Sequence, residues 1–344
     1  MVLEYGIDHP WDMDQLLSIA VPHIAILTGI DQVHAGYFSD EKGILREKVK
    51  LLQSAREIAL YNVALDEVPT FLQHRSLDVL SFGLQEVSET DIGFGNYRLV
   101  RHDEQISASF MLRQEHETLS NIQTNLLGES QAGYISLGVE LAMIVAQRHK
   151  VQFTTTPTGE DRHLDIELQP GRETLFLGKW WSILMDSSYN AAPTSMQLMV
   201  ELITQIRQEL FSDRELILCL GEMRELGSYS EQAHRDLAKQ IMHADRILLV
   251  GEEMKRFTLP ALLKAWYRQN CVRYFSHSRA LGRALDEYLS ESKDLALVLF
   301  KGSQNTIFLE EAVKPILRRP EDTSKLCRQS ARWMDKKENF FRSI

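Results

Sequence analysis

The chain has 344 residues, 48 acidic and 38 basic side chains, a formal net charge of −10, and 44% hydrophobic content. That length suits two ordinary domains, each with a core of its own. The acidic balance shows no basic face and argues against a nucleic-acid binder, and the clusters Arg318-Arg319 and Lys336-Lys337 read as solvated ends.

In chain order, strand-length apolar runs fall at residues 2–5, 23–28, 58–63 and 78–82, separated by helical periods at 11–20 and 41–55. Leu45, Val49 and Leu52 share one face of the second helix. Residues 96–113 read as two antiparallel strands around a polar turn, and a helix at about 132–148 follows. Gly93-Phe94-Gly95 lacks the strand–helix context of a phosphate loop and reads as a turn. Pro157, Pro170 and Gly171 mark a turn-rich stretch, which puts the domain junction near Arg172. Trp180-Trp181 reads as core packing at that junction.

Beyond it the alternation restarts. A strand at 182–185 leads through Asp186-Ser187-Ser188-Tyr189-Asn190 to a helix opening at Pro193, with Met196, Met199, Val200 and Ile203 on one face. Strands at 215–220, 246–250, 271–275 and 295–300 alternate with helices at 230–242, 258–268, 277–290 and 306–317. This is the pattern of a doubly wound, Rossmann-like domain. The tail from Arg319 onward is charged, and helical or frayed.

Cys219, Cys271 and Cys327 form no C-x-x-C pair, which fits a reducing cytoplasm, and the amino terminus has no basic segment followed by an apolar leader. The longest apolar stretch, Ile19 to Ile30, is broken by Pro22 and His23 and is too short to span a bilayer, so no membrane insertion is expected. No G-x-x-x-x-G-K-[ST] loop occurs in the chain.

Singly, Glu4, His34 and Lys48 are ordinary: an acid at the end of a short apolar run, a histidine after a strand, a lysine on a helix. In order they carry a pattern. Leu3-Glu4-Tyr5-Gly6, then Thr28-Gly29-Ile30-Asp31-Gln32-Val33-His34, then Glu47-Lys48 resembles the central domain of the Mur ligases. Asp186-Ser187-Ser188-Tyr189-Asn190-Ala191-Ala192-Pro193-Thr194-Ser195-Met196 resembles the D-D-S-Y-N-A-N-P-x-S-M stretch of the branch that joins D-alanyl-D-alanine to UDP-N-acetylmuramoyl-tripeptide, the MurF type. Leu220-Gly221-Glu222-Met223-Arg224-Glu225-Leu226-Gly227 with His234 after it, and Lys301-Gly302-Ser303, resemble two further motifs of that branch. The departures are Gly29 for Asn, Ser130 for His, Ser187 for Asp, Ala192 for Asn and Gln304 for Arg.

The resemblance implies an α/β chain made of an incomplete Mur-ligase central ATPase domain (residues 1–172, a mostly parallel sheet with an antiparallel addition) and a Rossmann-like C-terminal domain (residues 173–344). It implies that Glu4, His34 and a carbamylated Lys48 serve Mg2+, and that Asn62 contacts adenine, with Asp66 the nearest acid after it. Arg172 would contact ATP phosphate, Asp186, Tyr189 and Asn190 would line the nucleotide side, and Lys301, Gly302 and Ser303 would bind substrate. Hard cations with oxygen ligands suit such chemistry, because ATP and an acyl phosphate carry dense negative charge.

The implied reaction is an ATP-dependent amide ligation in peptidoglycan precursor synthesis, with a UDP-muramoyl-peptide and a dipeptide as substrates. The phosphate cradle would come from residues ahead of Met1 or from a separately encoded N-terminal half. Two other expectations stand beside this one: a degenerate, non-catalytic relative that binds a partner or, weakly, a nucleotide, and a Mur-like ligase acting on another amino acid or peptide.

Overall fold

The computed structural model describes residues 1–30, 41–73, 77–86, 89–114, 117–151, 161–265, 269–304 and 306–343. The chain forms two compact units, Met1–Ile166 and Glu167–Ile344, so Gly171-Arg172 belong to the second.

The first unit is built on a seven-stranded sheet in sequential order β1 to β7. Strands β1 (Ile24–Leu27), β2 (Ile58–Asn62), β3 (Asp78–Phe82) and the start of β4 (Ile92–His102) run parallel. Strand β4 then pairs antiparallel with β5 (Gln105–Gln114), and β5 with β6 (Glu117–Thr124). Strand β7 (Asp161–Leu164) closes the edge parallel to β6. Helix α1 (Asp12–Ile19) precedes β1, and helix α2 (Glu41–Gln53) buries Leu45, Val49 and Leu52 against Ala25, Leu27 and Ala59 of β1 and β2. A short helix α3 (Val68–Leu72) follows β2. Helix α4 (Glu129–Arg148) brings Leu137 onto Leu60, Phe82 and Ile92.

Two expectations fail here. Residues 2–5 form no strand: Met1 to Glu4 are exposed, and an apolar run with no neighbouring strand to complete its hydrogen bonds stays irregular. Gly93-Phe94-Gly95 is not a turn but the buried start of β4, where the small residues fit tightly (a Cβ on Gly93 would meet the Thr90 hydroxyl at 2.8 Å).

In the second unit, a six-stranded sheet has the order β12-β11-β10-β13-β9-β8. Its parallel strands are β9 (Ile183–Ser187), β10 (Glu215–Gly221), β11 (Arg246–Val250), β12 (Val272–Phe275) and β13 (Ala296–Lys301). Strand β8 (Thr174–Leu177) lies antiparallel to β9 at the edge. Every residue of β13, and all but the first of β10, is buried, as expected for central parallel strands covered on both faces.

Helices α5 (Pro193–Leu210), α6 (Ser230–Ile241) and α7 (Leu259–Lys264) carry the chain one way across the sheet. Helix α8 (Ser278–Glu291) carries it back, to pass between β10 and β9 as β13. Right-handed crossovers in opposite directions put the connecting helices on opposite faces, so β10 and β13 are neighbours at the point where the strand order reverses. The motif residues of the second unit lie at the C-terminal tips of these strands and of β9.

The end of the chain corrects two readings. The expected helix at 306–317 is broken into α9 (Glu310–Val313) and a single 3-10 turn at Lys314–Ile316, where Pro315 interrupts the helical hydrogen bonds. The tail folds back as α10 (Ala331–Arg342), and Lys337, read as a solvated end, is completely buried. Its ammonium lies 2.8 Å from Glu310 and 2.9 Å from Glu311, two carboxylates that supply the partners burial demands.

Candidate active site

In the first unit three segments meet at the C-terminal end of β1. The Asn62 Nδ2 donates to the Thr28 carbonyl at 3.0 Å, and its Oδ1 accepts from the Ala64 amide at 3.0 Å. The Lys48 ammonium, from α2, donates to the Gly29 carbonyl at 3.3 Å. Asn62 is buried and braces this junction through its two bonds.

The other expected metal residues are placed differently. Glu4 is exposed on the irregular N-terminal segment, and His34 lies outside the described residues. Among the described residues no group of three or more His, Cys, Asp or Glu side chains could hold a metal ion. Lys48 as an ammonium is a donor and cannot ligate a cation. The described residues alone therefore do not make a Mg2+ site.

The second unit concentrates buried polar groups at the tips of β9, β10 and β13. Lys301, the last residue of β13, is 3% exposed. Its ammonium donates to Ser187 Oγ at 3.3 Å and to the Asn190 carbonyl at 3.1 Å. Burial pulls its pKa down to about 8, helped by Arg172 and opposed by Glu173 and Asp186.

Asp186, on β9, is fully buried. Its Oδ1 accepts from the Ser188 amide at 3.1 Å, and its Oδ2 has no hydrogen-bond partner among the described residues. Burial raises its pKa to about 6 against the Ser188 bonds; Glu310 adds to the rise and Arg328 offsets it. Asp186 and Ser187 finish the strand, so the turn itself is Ser188-Tyr189-Asn190.

Ser303 ties the three tips together. Its amide donates to the Glu222 carbonyl at 3.1 Å, and its hydroxyl accepts from the Arg224 amide and donates to the Ala191 carbonyl, each at 3.0 Å. Gly221 and Gly302 face each other so closely that a Cβ on Gly302 would come within 3.0 Å of the Gly221 Cα. Side chains there would wedge β10 from β13.

Beside them, the buried Glu222 carboxylate pairs with Arg224 at 2.7 Å and accepts from the Glu253 amide at 3.1 Å. His234 accepts from the Met223 amide at Nε2 (3.1 Å) and contacts the Ser230 carbonyl through Nδ1 (2.8 Å). Burial keeps its pKa below the usual value, so it acts as a neutral strut.

Tyr189 and Asn190 are exposed at the turn. Arg172, also exposed, stacks its guanidinium on the Tyr189 ring at 4.7 Å, and the Tyr189 amide donates to the Gly171 carbonyl at 3.0 Å. The structure thus gathers Arg172, Asp186, Tyr189, Asn190, Lys301 and Ser303 in the second unit, and Lys48 and Asn62 around Thr28-Gly29 in the first.

Sequence reasoning missed Arg328 and Glu310, which are paired and buried beneath the turn. No local signal marks either one: Glu310 pairs with Arg328 and Lys337 further along the chain, and Arg328 also donates to the Ser188 and Tyr189 carbonyls more than a hundred residues away. It also misplaced Trp180 and Trp181, which are 49% and 62% exposed. Both have left-handed backbones, with φ of 56° and 58°, which turn the rings outward. The Trp180 indole donates to Asp286 at 3.1 Å, and Arg318 lies over the Trp181 ring at 4.8 Å.

The second unit has a doubly wound sheet with buried charge at its strand tips, and the first has a parallel sheet with an antiparallel addition, so both units are of the layered α/β class. Residues 1–134 match the Mur ligase middle domain, and residues 180–304 match the Mur ligase glutamate ligase domain. The chain belongs to the Mur ligase family.

It is 24% identical over 330 residues to the UDP-N-acetylmuramoyl-tripeptide–D-alanyl-D-alanine ligase of Bacillus subtilis strain 168, covering 93% of this chain and 64% of that protein. To the enzyme of the same name from Rickettsia prowazekii it is 25% identical over 321 residues, covering 88% and 63%. The chain therefore spans just under two thirds of the length of these relatives. The crystal structure of the MurF ligase from Thermotoga maritima in complex with ADP superposes with a TM-score of 0.67 at 16% identity, covering 98% of this chain and 68% of that one.

Proposed function

We propose that the chain is the ligase part of a MurF-type enzyme of peptidoglycan precursor synthesis, acting in the cytoplasm with ATP. The observation that carries this reading is the burial of both Asp186 and Lys301 at the tips of β9 and β13, with Ser303 bonded to Ala191 and the Arg172–Tyr189 stack at the same turn. Buried charged groups at strand tips with bonding capacity to spare are what a site for charged ligands requires.

In the proposed reaction a carboxylate oxygen of UDP-N-acetylmuramoyl-tripeptide attacks the γ-phosphorus of ATP, and the bond to the ADP oxygen breaks. The amine of D-alanyl-D-alanine then attacks the acyl-phosphate carbonyl, losing a proton as inorganic phosphate leaves. Catalysis is chiefly positioning and charge neutralisation. Arg172 would contact ATP phosphate, and Asp186, Tyr189 and Asn190 would line the nucleotide side. Lys301 would hold its positive charge toward the anionic substrate, with Gly302 and Ser303 shaping the approach. Asn62 would contact adenine from the first unit.

The metal role of Glu4, His34 and carbamylated Lys48 belongs to the same proposal. Its support is the family resemblance and the position of Lys48 at the end of β1. Mg2+ would supply neutralisation of phosphate charge.

The test measures ADP formation with UDP-N-acetylmuramoyl-tripeptide, D-alanyl-D-alanine and ATP, for the chain alone and together with a polypeptide that supplies a P-loop. ADP formation that requires both co-substrates and forms a peptide bond is the expected result. ADP bound without turnover in either arm would favour a non-catalytic nucleotide binder. Turnover with glutamate or another peptide in place of the dipeptide would move the chain to a different branch.

A further inference from the structure

The segment matching the family's second domain ends at residue 304, yet the chain returns to the turn through Arg328. The Arg328 side chain is 4% exposed. Its Nη2 donates to the Ser188 carbonyl at 2.7 Å, and its Nη1 donates to the Tyr189 carbonyl at 3.1 Å. Nε and Nη2 grip the two oxygens of Glu310 at 2.9 and 2.7 Å. The same guanidinium lies 5.9 Å from the Tyr189 ring, which carries Arg172 at 4.7 Å.

Glu310 is itself shared. It is fully buried, and its Oε1 lies 2.8 Å from the ammonium of Lys337, delivered by α10. Any buried guanidinium must find acceptors for the N–H groups that its carboxylate leaves over, and which acceptors it takes decides what it holds in place. This one spends two of its donors on consecutive carbonyls of the turn, in a planar fork that fixes direction as well as distance.

We propose that Arg328 is a positioning residue that sets the geometry of the Ser188-Tyr189-Asn190 turn, and that Lys337 on α10 is the counter-charge that keeps Glu310 oriented to hold it. The functional importance of the turn rests on the reading in the preceding subsection; the mechanical role of Arg328 does not. The two are therefore tested by separate measurements.

The first is amide hydrogen exchange on the full chain and on the variants Arg328→Lys and Lys337→Met. Lysine keeps the buried charge opposite Glu310 but cannot reproduce the fork. In Arg328→Lys, peptides covering residues 187–192 are expected to exchange about tenfold faster, the loss of one or more charge-assisted bonds, while β10 and β13 keep their protection. Lys337→Met is expected to loosen the same peptides through Glu310. Wild-type exchange at the turn in both folded variants would overturn the proposal. Should Lys337→Met fail to fold, Arg328→Lys decides alone.

The second measurement is ADP affinity by calorimetry. A roughly tenfold weaker Kd in Arg328→Lys supports the link from turn geometry to nucleotide. A wild-type Kd with a loosened turn would overturn that link. A wild-type chain that binds no ADP would defeat the nucleotide reading of the turn and leave the exchange result standing by itself.

Discussion

On one side of Ser188, Asp186 and Lys301 are buried at strand tips with unused hydrogen-bonding capacity. On the other, Arg328, Glu310, Lys337 and Glu311 are buried in a network of ion pairs that Lys314 and Arg279 extend at Glu311. Burial is the same in both places, but the titration behaviour is not. Burial dominates the first pair, raising Asp186 to about 6 and lowering Lys301 to about 8, so each resists its charged form. In the second group, burial and ion pairing oppose each other: Lys314 and Lys337 hold Glu311 below the usual carboxylate range, and Glu310 holds Arg328 above the usual guanidinium value. The difference separates a place prepared for a ligand from the frame that supports it.

The sharpest way to break this contrast is to unbalance the frame. Lys337→Met leaves the Glu310 and Glu311 carboxylates buried with one cation fewer, and urea unfolding should show a loss of about 3–5 kcal/mol. The site should respond in the opposite sense. Asp186→Asn removes a charge that burial opposes while an amide oxygen can keep the Ser188 bond, so stability at pH 7 should rise by about 3 kcal/mol.

The sign follows from the raised folded-state pKa of Asp186. Its contribution to stability is complete below about pH 4 and is lost as pH rises through 6. Thermal unfolding between pH 4 and 8 should show this fall in the wild type and a flatter profile in the variant.

Lys301 titrates in the mirror sense. Its lowered folded-state pKa gives stability that is complete above the unfolded value of 10.5 and lost as pH falls through 8. Lys301→Met should therefore gain about 1–2 kcal/mol at pH 7 after losing its two hydrogen bonds, and should lack the wild type's gain between pH 7 and 10. The smallest stability effect belongs to Arg172→Ala: within about 0.5 kcal/mol for an exposed side chain, with ADP binding weakened about tenfold. A large stability loss there would place Arg172 in the frame rather than in the site.

The parts of the fold legible in the sequence were those whose partners are implied by pattern. The apolar runs at Leu216–Leu220 and Ala296–Phe300 could only be covered strands, and the spacing of Met196, Met199, Val200 and Ile203 could only be one helix face. Strands β6 and β7 were hidden because polar residues such as Ser120, Asn121, Gln123 and His163 interrupt the apolar pattern that marks a strand; β6 is held by the adjacent β5, and β7 by β6 across a long stretch of chain.

At the site, motif residues were legible as motifs, but their state was not. Nothing local says that Lys301 is buried, that His234 is a neutral strut, or that Asn62 braces a junction. The Arg328–Glu310–Lys337 network was least legible, since each member looks like a surface charge until the tertiary fold removes its water.

The aromatic seat of the last helix has a practical consequence for shortened versions of the protein. Trp333, Phe340 and Phe341 stand over the fully buried Phe308, with ring centroids 6.4, 5.4 and 6.1 Å away. A polypeptide cut just ahead of Ala331 would keep every strand of the second sheet and Arg328 itself. It would also open an aromatic patch to solvent, and self-association of such a product would follow from that uncovered patch rather than from any fault in the sheet.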